Sequence, residues 1–99
     1  MLYYPHNIKE KTHMVKIWAK IMTENKLERD MMYEAIGTFD SSELYLHVAE
    51  ICHRMDIPAP VVLHTHEYNF MAFNTCTFLT RDFVEYVPFE KLILENAKD

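Results

Sequence analysis

Six histidines stand among the 99 residues, and His64-Thr65-His66 is the pair closest in sequence. Histidine titrates between pH 5 and 8 and is the commonest metal ligand. On a strand, residues two apart project to one face, so these two imidazoles could share a zinc or iron ion. A third ligand is then required, and His6, His13, Asp82 or a histidine of a second subunit could supply it. Glu67 is adjacent but would project to the opposite face. The same residues support a catalytic alternative: His64 and His66 as acid/base groups, with Arg81 and Asp82 placing an anionic substrate in a cleft between subunits.

Other juxtapositions are weaker. Glu50-Ile51-Cys52-His53 contains an ExxH step, which on a helix sets a carboxylate and an imidazole one turn apart. Di-iron bundles use that step twice, and here it occurs once, so a surface pair is expected. Cys52 and His53 are neighbours, and neighbours on a helix do not face each other. Cys52 also falls on an apolar stripe, where a thiol is packing. Cys76, between Thr75 and Thr77, is the thiol open to exposure. The single glycine, Gly37, excludes every glycine-rich phosphate loop. No GxSxG or HExxH pattern is present. With no complete catalytic set, the chain reads as non-catalytic, with no cofactor implied.

The elements that must position these residues follow from composition and periodicity. Apolar residues make up 49% of the chain and charged residues 25%, a globular balance for one domain over 1–99. The net charge is -5, split as +2 over residues 1–33 and -7 over residues 34–99. An acidic chain is a poor partner for nucleic acid, and the acidic remainder either packs against the basic third or meets a basic partner. No run of 18 apolar residues suggests a membrane span. Two cysteines without CxxC spacing and an N-terminus lacking an apolar leader run point to a reduced, cytoplasmic setting.

Val15, Ile17, Ala19 and Ile21 alternate with Lys16, Trp18 and Lys20, a period of two. If the chain turns over Glu24-Asn25-Lys26, Lys16 faces Glu34, Lys20 faces Asp30 and Trp18 faces Met32. Val15, Ile17 and Ala19 then face Ala35, Tyr33 and Met31, and such matched pairs stabilise a hairpin. One helix is expected over about 41–55, with Asp40 and Glu43 as a capping box and Phe39 against Leu44 as a staple. Leu44, Val48, Ile51, Cys52 and Met55 form its apolar face. The prolines at 58 and 60 end it, and Val61 to His64 reads as a buried strand. Glu67 to Asn74 reads as a loop or one helical turn. Thr75 to Leu79 and Glu85 to Val87 favour strand, and 88–95 is either a strand or a short helix opened by Pro88. The fold class is α+β: an N-terminal hairpin and one long amphipathic helix on a mainly antiparallel sheet completed by C-terminal strands.

In the hairpin register Trp18 shares a face with Met14, Met32 and Ile36, away from Val15, Ile17 and Ala19. Large apolar groups ringed by charge are the make-up of an interface centre. The expectation is a protein–protein interaction module, homodimeric or with another protein as partner, that binds neither nucleic acid nor membrane. Its interface is Trp18, Met32, Met14 and Ile36; the metal-binding alternative rests on His64 and His66.

Overall fold

The alternation in the first strand is the pattern the structure obeys most closely. In this computed structural model, which describes residues 13–97, β1 (Met14–Thr23) buries Val15, Ile17, Ala19 and Ile21 and turns Met14, Lys16, Trp18 and Lys20 to the other face. β2 (Lys26–Ile36) returns antiparallel with Lys16 opposite Glu34, Trp18 opposite Met32 and Lys20 opposite Asp30. The turn is tighter than expected. Only Glu24 and Asn25 form it, with φ of 54° and 64°, the two positive values of a type I′ turn. Beyond Ile21–Arg29 the register slips, so that Met22 meets Leu27 and Glu28 is left unpaired as a bulge. The bulge reconciles a two-residue loop with the pairing that the apolar and charged residues demand.

Glutamate is a poor occupant of a left-handed position, and type I′ turns favour Asn-Gly. Replacing Glu24-Asn25 by Asn-Gly should raise stability by about 1 kcal/mol, a gain of about 4–8 °C in the melting temperature of a domain this size. Differential scanning calorimetry checks it. The backbone N–H of Glu24, which donates to the Glu90 carboxylate at 2.9 Å, is kept in the variant.

A 3₁₀ turn (Ser41–Glu43) leads into α1 (Leu44–Met55). The Asp40 carboxylate caps the entry, accepting from the Ser42 N–H at 3.0 Å and the Ser42 hydroxyl at 2.8 Å, and these bonds hold its pKa below the usual value. The buried residues of α1 are the five of the expected stripe: Leu44, Val48, Ile51, Cys52 and Met55. Asp56 ends the helix in the left-handed conformation, while its N–H reaches His53 and that of Ile57 reaches Cys52, as in a Schellman motif.

The next stretch departs from expectation. Val61 to Leu63 form no strand, and a second helix, α2 (His64–Phe73), begins where the strand was to end. Only His66 and Phe70 of α2 are buried, and apolar residues occupy its outer side as well, so its periodicity is weak. Asn74 in the left-handed conformation closes it. β3 (Thr75–Leu79) and β4 (Lys91–Asn96) follow, joined through a 3₁₀ turn (Thr80–Asp82); residues 85–87 form no strand and Pro88 opens no helix.

The sheet order is β2-β1-β4-β3, antiparallel at every pairing. Its inner face supplies Ile17, Ala19, Phe78, Leu92 and Leu94 to a core completed by Leu44, Val48 and Ile51 of α1 and Phe70 of α2. The protein is an α+β domain with its helices on one side of the sheet. Among the described residues no helix is long and apolar enough to cross a membrane.

Candidate functional site

Because both helices pack on the inner face, alternation along all four strands leaves an outer face that no other element of the described residues covers. Trp18 lies near its centre, flanked across the ladders by Met32 on β2 and Glu95 on β4. Met14 and Ile36 pair at one end, and Ile93 and Leu79 extend the apolar surface towards β3. Ile36 is 82% exposed and Met32 51%, while Trp18 and Met14 are half-buried. The four expected interface residues therefore share one face.

The charges around Trp18 pair differently from the cross-strand register. Its indole N–H donates to the Asp30 carboxylate at 2.8 Å. The Lys20 ammonium sits 4.4 Å from the indole ring centroid and bonds Glu95 at 2.6 Å, rather than pairing with Asp30. Strand twist and the arrival of β4 decide this, since Glu95 flanks Trp18 on the side away from Met32. Lys16 and Glu34 are opposite each other but form no ion pair, and Lys91 has no ionic partner among the described residues. Among the described residues, three lysines and three carboxylates (Asp30, Glu34, Glu95) thus frame the apolar centre of the face and balance in charge, in a chain of net charge -5.

The histidine pair does not share a face. On α2 the two imidazoles are about 200° apart, because a helix turns once per 3.6 residues. His64 is solvent-exposed at the helix start and lies 3.1 Å from Glu67. His66 points inward, 7% exposed, with its ring 4.3 Å from that of Phe78. Its Nδ1 accepts the Leu63 N–H at 3.0 Å, and its Nε2 lies 3.5 Å from the Asp82 carboxylate. Asp82 in turn accepts the Leu79 N–H at 2.8 Å, and its carbonyl takes the Val61 N–H at 2.8 Å. His66 and Asp82 are brought together as a clasp tying α2 to the turn after β3. The strand geometry behind a shared metal is absent, and no group of three metal-ligating side chains occurs among the described residues. Of the other ligands considered, His13 is exposed, and His6 lies outside the described residues.

No known protein family, curated protein or solved structure matches this chain.

A polar cluster that periodicity did not single out joins β2 to α1. The Tyr33 hydroxyl lies 2.8 Å from His47 Nδ1, Phe39 stacks near the imidazole at 6.0 Å, and Arg54 packs 5.2 Å from the Tyr33 ring while bonding Glu50. His47 and Arg54, seven apart, lie off the buried stripe of α1, and Tyr33 is among the inward residues of β2. Burial raises the Tyr33 pKa, with Arg54 opposing and Glu50 adding. Burial lowers that of His47 below its ordinary 6.5, with Glu43 opposing. A histidine with a depressed folded pKa contributes stability in full above 6.5 and loses it as pH falls through the folded value. The melting temperature should therefore drop as pH is lowered below about 6.5, and His47→Gln should remove part of that slope. Thermal melts of both proteins across this range check it.

Both cysteines are buried free thiols. Burial pushes each pKa up to about 12, so neither is a nucleophile near neutral pH. Cys76, the thiol expected to be open to exposure between its threonine neighbours, is instead buried on the inner face of β3, opposite Leu94 of β4.

Proposed function

We propose that this protein is a non-catalytic protein–protein interaction module that docks through the outer face of its sheet, with a second copy of itself as the partner. The observation that carries this reading is the face around Trp18, which no element of the described residues covers. A monomer gains nothing by presenting Met32, Ile36 and an indole to water on a face whose opposite side already completes the core. A two-fold interface must be self-complementary, and equal numbers of lysines and carboxylates about one apolar centre meet that need. The surplus negative charge lies elsewhere on the chain, where it does not oppose association. The two buried free thiols support a reducing, cytoplasmic setting.

Four strands at about 4.8 Å spacing and roughly 30 Å of strand length give a flat area on the order of 500 Å². That is below the ~800 Å² per partner of a standard complex, so micromolar rather than nanomolar association is expected. Multi-angle light scattering at tens of micromolar, with sedimentation velocity on dilution, tests the reading. The expected result is twice the chain mass at the higher concentration, falling on dilution. A chain that keeps the monomer mass throughout overturns the self-association.

A further inference from the structure

A cleft of about 260 Å³ opens where α1 ends beneath the hairpin. Ile21, Ile57 and Phe89 form its apolar walls, and Glu28, Arg29 and Asp56 stand at its rim. It lies on the helix side of β1, where Ile21 points, and is therefore separate from the outer face that carries Trp18. The Arg29 guanidinium donates to the Met55 carbonyl, which holds it against the last turn of α1. The carboxylates of Glu28 and Asp56 have no hydrogen-bond or ionic partner among the described residues. The rim thus carries one guanidinium committed to the helix end and two uncommitted carboxylates.

Local energetics account for neither carboxylate. Asp56 places a negative charge at the negative end of the α1 dipole, where a cation is preferred. It does so in a left-handed conformation (φ 59°) that glycine adopts more readily. Glu28 is the extra residue of the β2 bulge, and a bulge re-aims the side chain it carries. Both are paired with an apolar cavity smaller than the ~300–1,000 Å³ of drug-sized pockets, a volume suited to one side chain.

We propose that the cleft binds the side chain of a lysine presented by a basic polypeptide segment. The four-carbon stem lies along Ile21, Ile57 and Phe89, and the ammonium is placed between Glu28 and Asp56. Lysine matches both halves of the cleft: an apolar slot, and a rim whose net charge is -1. The chain beyond residue 33, with its net charge of -7, adds a field that draws in a basic segment.

Titration of the ¹⁵N-labelled protein with Nα-acetyl-lysine methylamide, followed by amide chemical shifts, tests this. The expected result is saturable shifts confined to residues 28–29, 56–58 and 88–89, with a dissociation constant on the order of 1 mM. The norleucine analogue, which has the stem without the charge, should bind roughly tenfold more weakly. Glu28→Gln combined with Asp56→Gly should weaken lysine binding by a similar factor while the melting temperature holds or rises, because glycine relieves the left-handed backbone. Loss of binding together with loss of folding is thereby told apart from loss of the site. Equal binding of the norleucine analogue, absence of shifts, or shifts unchanged in the double variant would overturn the proposal. Saturation by pentylamine but not by the lysine analogue would overturn its assignment to a polypeptide.

Discussion

His66→Ala should lower the free energy of unfolding by about 3 kcal/mol, among the larger effects available from a single polar residue here. The substitution removes a ring packed 4.3 Å from Phe78 and leaves a cavity between α2 and β3. It also strips the part-buried Leu63 N–H of the acceptor that caps the start of α2, a smaller loss because Leu63 is half exposed and water can replace the imidazole. Asp82 loses its neighbour in the same step, although its bond to the Leu79 N–H persists. His66→Gln retains an acceptor for Leu63 and should recover part of the loss. His64→Ala, at an exposed position, should stay within about 0.5 kcal/mol of the parent. Urea unfolding followed by circular dichroism measures all three. Equal stability of the His66 and His64 variants would refute the clasp.

Met32→Lys should weaken self-association about 100-fold or more while leaving the fold intact. Met32 is half exposed on an edge strand, so a lysine there is solvated in the monomer. In a dimer it would bring an unpaired ammonium against the apolar centre, a cost of about 3 kcal/mol or more. The chain has a single tryptophan, and it lies in the proposed interface, so its emission reports the event directly. Parent protein diluted from tens of micromolar should show a red shift as Trp18 meets water. The variant should show the shifted spectrum at every concentration, with an unchanged far-ultraviolet circular dichroism spectrum. A parent emission that does not depend on concentration, together with a constant monomer mass, would remove the outer face from consideration as a self-interface.

Much of this fold could be read from local pattern. The β1–β2 register rested on six facing pairs from Val15–Ala35 to Lys20–Asp30, and any one-residue slip would have turned Ile17 and Ala19 outward. The α1 stripe was equally legible, because five apolar residues at helical spacing have a single solution. α2 was not. Its Phe70 and His66 are four apart, but Tyr68, Met71 and Phe73 are exposed and blur the period. Its start depends on an imidazole accepting the Leu63 N–H, a role that glutamate or glutamine usually fills at that position. With a strand assumed at residues 61–64, the two histidines fell on one face; the helix put one in solvent and one in the core.

The sequence by itself determined the alternation of β1, the buried side of α1 and the company that Trp18 keeps, since each follows from spacing along a single element or one hairpin. Tertiary structure decided what non-local pairing alone can decide. The insertion of β1 between β2 and β4 gave Lys20 to Glu95 instead of Asp30. The docking of α2 over Phe78 turned a candidate ligand into a clasp. The meeting of the bulge at Glu28 with the end of α1 at Asp56 formed the cleft. Residues 75 positions apart, as Lys20 and Glu95 are, leave no mark on local periodicity; their energies depend on which strand arrives beside which, and that is settled by burial of the whole core.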